Sequence, residues 1–250
     1  MKSLALFRRK NRQRNFKPFY EEWIQTLRDA LLPQLRRSIS STVRFPHFVS
    51  SDVESIHSHF ISYYDALDLA ASDDASQVLI PDWRNPLEKP FIWLGDLHPY
   101  LFINLLRSFI IGEDPSNHTD RNWQISTAWK SPTRELSNRV DEIERGLRLM
   151  VPALVSRARE AQGKFVKKVA VDWRRKEVVG KAVGEEMEEM GCVVVDANRL
   201  RRSVLADILV ATNVYQAAVF LEGLAQFVVG FRDGQLMAEF DRCEAVDVTQ

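Results

Sequence analysis

Five histidines, His47, His57, His59, His98 and His118, are the residues most able to bind a metal or move a proton near neutral pH. His57 and His59 are two apart, a spacing that on a helix turns them about 200° from each other, so they do not share a metal there. His98 precedes Pro99 and reads as a capping or packing residue. Cys192 and Cys243 offer neither a paired metal spacing nor a disulfide framework, which fits a reducing compartment. Valines 193–195 follow Cys192, so its thiol reads as buried and not activated. No HExxH, CxxC, Walker A or GxGxxG pattern occurs. Asp73, Asp74 and the run Glu185, Glu186, Glu188, Glu189 have no attendant basic constellation and read as solvated acidic faces. Nothing assembles a nucleophile, a base and an orienting group, so the chain reads as a non-enzyme.

The stretch WRNPLEKPFIWLGDLHPY, residues 83–100, gathers Trp83, Phe91, Trp93 and Tyr100. These rings could line a ligand pocket. Phe91 and Trp93 are two apart, however, which suits an element buried between neighbours more than one stacking platform. Charge supplies the other candidate. The formal net charge is zero, yet the first fourteen residues carry Lys2, Arg8, Arg9, Lys10, Arg12 and Arg14 and no acid, leaving the remainder at minus six. With Leu4, Leu6 and Phe7 beside them, these cations form an apolar-plus-polybasic device suited to an anionic membrane surface. Nuclear import, nucleic-acid binding or an unspecific solubilising end would use the same charges.

The elements that position these residues read as helices. Phe16, Phe19, Tyr20, Trp23, Ile24, Leu27, Leu31 and Leu35 form one apolar stripe, with Pro33 expected to kink or shorten its end. A second helix is expected from Ser51 or Asp52, with a loop before it. Asn85 and Pro86 predict a helix start and Gly95 a stop, so residues 83–100 read as two short helices joined by a corner. Ser131-Pro132 opens the next helix, which Pro152 should bend. A further helix runs from about Gly163 to Gly191, and Gly180 and Gly184 could admit a neighbouring helix closely. CVVVDAN, residues 192–198, is strand-like but has no partner strand and reads as a buried connector, with Asn198 capping the next helix. Thr212 or Asn213 caps the last helix, which stops at Gly234. The chain is expected to be all-α, a multi-helix bundle of long antiparallel helices with short corners. It divides into a basic flexible tail (1–15), one helical domain (16–236) and a C-terminal tail (237–250).

Three blocks carry a family resemblance: FKPFYEEWIQTLRDALLPQL, NPLEKPFIWLGDLHPYLFINLL and LADILVATNVYQAAVFLEGLAQFVVGFRDG. They resemble the plant Delay-of-Germination domain family, most specifically in the middle block. Trp23, Pro86, Glu88, Phe91, Trp93, Gly95, Pro99 and Gln216 carry the pattern. Asp96 stands where a second glycine is usual and His98 where an arginine is usual, and this looks most like the inaperturate-pollen branch. The resemblance implies a non-enzymatic scaffold that marks plasma-membrane domains for pollen aperture formation in developing microspores. It implies protein partners such as a membrane-associated receptor-like kinase. No basic-region zipper precedes the domain, so DNA binding is not supported. Seed-dormancy members suggest the alternative of a regulator binding haem or phosphatases, though no haem histidine has a matched position, so no cofactor is carried over. A transcriptional co-factor entering the nucleus is a third reading. Self-association is left open. Partner-surface candidates are Asp96, His98, Glu185, Glu186, Glu188 and Glu189, together with the loop 112–130.

Overall fold

A computed structural model of the chain describes residues 16–40, 46–111, 128–129 and 132–244. The expected tail residues 1–15, with all their apolar and basic positions, lie outside these, as do residues 112–127 and 130 of the expected loop. The described residues are predominantly helical, as the periodicity predicts, and include one two-stranded sheet that it does not.

The opening apolar stripe forms α1 (Phe16–Thr26), a π-helical turn (Leu27–Leu31) and α2 (Leu32–Ser40). Pro33 has no N–H for the ladder. The widened turn just before it, closed by the Leu32 N–H on the Leu27 carbonyl, carries the helix past the proline without ending it. Helix α3 (Pro46–Asp73) starts five residues before the expected Ser51 and buries Ile56, Phe60, Tyr63, Tyr64 and Leu67 against that stripe. A short α4 (Ser76–Leu79) comes next.

Residues 83–100 are not two helices. Asn85 accepts a cap-type bond from the Glu88 N–H at 3.0 Å, but it opens only a turn and a 3₁₀ segment (Lys89–Phe91). Pro90 lacks the N–H that would continue an α-helix. The chain then extends into a hairpin, β1 (Ile92–Trp93) against β2 (Asp96–Leu97), with Ile92 opposite Leu97 and Trp93 opposite Asp96. Leu94 and Gly95 form the turn at φ 44° and 88°, the both-positive pattern of a type I′ connection. A Cβ on Gly95 would lie 2.6 Å from Val78 Cγ1, so glycine is required there twice over. Helix α5 (Tyr100–Ile111) leaves the hairpin after Pro99.

Helices α6 (Arg134–Asp172) and α7 (Lys176–Ala211) form a long antiparallel hairpin. Thr133 caps α6, and the helix runs through Pro152 and Gly163 without a break. Residues 192–198 are helical, not a connector: Met190, Val193, Val194, Ala197, Val204, Leu205 and Ile208 share one buried helical stripe. Gly191 does not stop this helix. Its missing Cβ lets α7 pass α3, since a methyl there would sit 2.8 Å from the Ala71 carbonyl oxygen. Gly180 and Gly184 have no atom within 4 Å of a built Cβ and mediate no close approach. Cys192 is exposed, not buried.

Helix α8 (Val214–Gly230) is capped as expected by Asn213, in a reciprocal box with Gln216. It ends before Gly234, which instead opens α9 (Gly234–Glu244), where a tail is expected from the sequence. The core joins α1 to α8 and the hairpin strand β2, with Leu136, Val140 and Leu147 from α6 and Val194, Val204, Leu205 and Ile208 from α7, while Ala158, Ala161, Met190 and Val193 form a small satellite with Leu79 and Leu94. No single described helix is long and apolar enough to cross a membrane.

Candidate functional site

The β1–β2 hairpin sits between two buried arginines, Arg84 and Arg201. Arg84, in the turn before the 3₁₀ segment, donates to Asp96 Oδ1 at 2.6 Å, the Tyr63 hydroxyl at 2.8 Å and Glu88 Oε2 at 3.2 Å. Its guanidinium lies 4.7 Å from the Trp83 ring centre and 5.4 Å from that of Tyr20. Glu88 is 0% exposed; it also accepts from the Tyr20 hydroxyl at 3.2 Å and faces Arg232 Nε at 3.3 Å. Tyr63 donates in turn to Asp96 Oδ1 at 2.9 Å.

Arg201, 0% exposed on α7, grips the hairpin from the other side. Nε donates to the Leu97 carbonyl at 2.7 Å, and Nη2 to the carbonyls of Trp93, Leu94 (3.3 Å) and Asp96 (3.1 Å). Nη1 donates to Asn198 Oδ1 at 2.6 Å, and Asn198 Nδ2 donates to Asp68 Oδ1 at 2.7 Å. Asn198 is therefore a buried bridge, not a helix cap. A planar fork with five donors is what a turn rich in free carbonyls can use.

The electrostatics are those of a buried ion network. Burial pushes the Tyr20 phenol up to about 12, and Arg84 only partly offsets it. Burial likewise raises Tyr63 and Tyr64 well above the ordinary phenol range. Burial works against the charge on Arg84, but Tyr63, Asp96, Tyr20 and Glu88 hold its pKa above the usual value. Arg201 is lowered by burial, with Asp96 opposing. Each carboxylate is met by an arginine, and burial favours the protonated form of each phenol. A cavity of about 20 Å³ lies among Tyr20, Trp23, Tyr63, Tyr64, Arg84 and Asp96. That is room for about one water molecule.

The tyrosines make stability pH-dependent. A phenol held above its unfolded value of 10.0 stabilises the fold fully below pH 10, and the stabilisation is lost as pH rises toward the folded value. For Tyr20 the rise from 10.0 to about 12 corresponds to roughly 2–3 kcal/mol. We expect the urea midpoint to fall steeply as pH is raised through 10, with tyrosinate absorbance appearing together with unfolding. Tyrosinate appearing at its ordinary pH in the folded protein would contradict this.

The fold distributes the other expected site residues unevenly. Asp96, expected on a partner surface, is 3% exposed and ion-paired to Arg84, because the hairpin turns its side chain into the core. His98 is half-buried, its Nδ1 accepting from the Tyr100 N–H at 3.2 Å and its ring 4.9 Å from Trp93. Burial and then Arg201 lower its pKa. The acidic run is not unattended: Glu185 pairs with Lys168 and with Lys181 at 3.8 Å, and Glu189 with Arg157 at 2.6 Å. Glu186 and Glu188 make no ion pair among the described residues. Trp23 donates to the His59 carbonyl at 2.8 Å, while His59 Nε2 meets the Trp23 carbonyl at 3.0 Å and the two rings stack. Trp83 is core, as expected, and Phe91 packs on Phe227 and Phe231. Pro86 is exposed, Gly95 and Pro99 are buried, and Gln216 completes its cap. Trp129, at the end of the expected exposed loop, is buried and stacked on Phe109 at 5.7 Å. Among the described residues no cluster of three metal-ligating side chains occurs.

One signal could have found Arg201. It occupies the apolar stripe of α7, four residues after Ala197 and four before Leu205, where a charge must be buried and partnered. Arg84 has no such register.

The chain is thus a helical domain with a polar corner held by buried arginines. The family model for seed dormancy control, DOG1, matches residues 31–108. The chain is 42% identical to Protein INAPERTURATE POLLEN1 of Arabidopsis thaliana, over 95% of this chain and 97% of that one. It is 38% identical to the Protein INAPERTURATE POLLEN 1 homolog of Oryza sativa subsp. japonica, over 93% and 91%. Protein ZW2 of Arabidopsis thaliana is similar at 22% identity over 87% of the chain. The chain belongs to the inaperturate-pollen family of DOG1-domain proteins.

Proposed function

We propose that this chain acts in pollen aperture formation, the process that its relatives' names denote. The observation that carries the reading is 42% identity spanning nearly the whole of both chains. In finer terms it is a non-enzymatic scaffold. It gathers at plasma-membrane domains of developing microspores and works through protein partners, with a membrane-associated receptor-like kinase as the partner type. The buried ion network supports a scaffold, because it specifies a shape and presents no reacting group. The basic residues 1–14 support a peripheral attachment to anionic lipid. A seed-dormancy regulator is the second reading, favoured by the family-model match, but that match covers residues 31–108 only.

The test is complementation. Expressed in anthers of a plant whose pollen lacks apertures through loss of its own family member, the tagged chain should restore them and collect in patches beneath the microspore plasma membrane. Stable expression without apertures would dismiss the aperture reading. Restored apertures with uniform cytosolic signal would dismiss the membrane-patch mechanism alone.

A further inference from the structure

We infer that the free end of the α6–α7 hairpin is a lipid-contact tip for anionic membrane surfaces. The register of the hairpin is set by Arg157 with Glu189 and Asp196 and by Lys168 with Glu185. Its last buried contacts with the rest of the molecule are those of Ala158, Ala161, Met190 and Val193 against Leu79 and Leu94. From Gln162 to Glu189 it has one buried residue, Ala182. About eleven residues of α6 and fourteen of α7 therefore stand clear of the core, roughly 16–21 Å at the helical rise.

Two features coincide on this projection. Val166, Val171 and Trp173 are 61%, 80% and 65% exposed, and Trp173 lies in the break between the helices. Around them residues 163–181 carry Lys164, Lys167, Lys168, Arg174, Arg175, Lys176 and Lys181 against only Asp172 and Glu177. Lys167, Arg174 and Lys176 make no ion pair among the described residues. A helical hairpin gains nothing by exposing Trp173 and Val171 at its apex and Val166 about two turns below it. An apolar apex ringed by cations is suited to the headgroup layer, where indole sits at the interface and lysine and arginine meet anionic lipid.

Size separates a membrane from a protein partner. The end of two packed helices is about 20 Å across, on the order of 400 Å². A stable protein interface needs about 800 Å² on each side. A nucleic acid would use the cations but would leave the valines without a partner.

The inference rests on the peripheral-membrane reading above and moves part of the contact from the tail to the folded domain. The experiment is cosedimentation of the full chain with vesicles of phosphatidylcholine alone and of phosphatidylcholine mixed with phosphatidylserine. It compares the wild type, a chain lacking residues 1–14, Trp173→Ser, and the triple variant Lys167→Gln/Arg174→Gln/Lys176→Gln. The wild type should bind the anionic vesicles and not the neutral ones. One basic side chain near such a surface is worth about fivefold, so the triple variant should bind on the order of a hundredfold more weakly. Trp173→Ser should lose about tenfold. All four residues are exposed, and unchanged denaturation midpoints would establish that folding is intact. If only tail deletion weakens binding, the tip inference is overturned and the membrane reading stands. If the wild type ignores anionic vesicles, both fall. Binding to duplex DNA or RNA that needs the three cations but not Trp173, without vesicle binding, also overturns the inference.

Discussion

Replacing Arg201 with methionine should lower the unfolding free energy by roughly 3–5 kcal/mol, the range for removing one partner from a buried charged network. The aliphatic part of the side chain is retained, so the loss isolates the guanidinium. Four hairpin carbonyls, those of Trp93, Leu94, Asp96 and Leu97, and the Asn198 amide oxygen lose the donor that Arg201 supplies in a buried site. Leu94 is already held at φ 44°, a conformation that costs a non-glycine residue about 1–2 kcal/mol, and Arg201 is part of what holds it. For a chain of this length the melting temperature should fall by roughly 10 °C or more. Denaturant unfolding checks the value. Arg201→Lys should recover only part, because an ammonium cannot span the same carbonyls. A methionine variant within about 1 kcal/mol of wild type would show that the carbonyls find other donors or water.

Arg84→Met should be comparably severe, about 3–5 kcal/mol, for a different reason. Here the groups left behind are charged: Glu88 and Asp96, 0% and 3% exposed. Arg232 still faces Glu88 at 3.3 Å, and Tyr63 still donates to Asp96 at 2.9 Å. Asp96 therefore loses more than Glu88 does. A double-mutant cycle separates this from lost packing. If the uncompensated carboxylate dominates, Arg84→Met with Asp96→Asn should be less destabilised than the sum of the single variants by about 1–3 kcal/mol. Strict additivity would mean that the cost lies in the stacking of Arg84 on Trp83 and Tyr20. Asp96→Ala, a surface mutation if the corner is judged by its sequence, becomes a core mutation for the same reason.

How much of the fold is legible in the sequence depends on the range of the interaction involved. The stripes of α1, α3 and α8, and the Asn213 cap with Gln216 three residues on, depend on contacts one helical turn apart, so local spacing reveals them. The hairpin is different. Its strands are two residues each, too short to alternate, and its turn is Leu94-Gly95, not the Asn-Gly pair that marks such turns. CVVVDAN misleads because β-branched residues favour strands, while the surface formed by Ala71 on α3 and Ala75 just before α4 accommodates a helix at the point where Gly191 leaves room.

Residue order alone specified the helical class, most helix stripes and, through the residues of the corner, the family. The assembled fold was needed to turn Asp96 inward, to pair part of the acidic run, and to make residues 83–100 a clamped hairpin. The reason is distance along the chain. Arg201 meets the Trp93 carbonyl across 108 positions and Asn198 meets Asp68 across 130, and no local pattern announces such partners. Burial turns these pairings into requirements, since a charge removed from water must find its counterpart wherever the fold brings one.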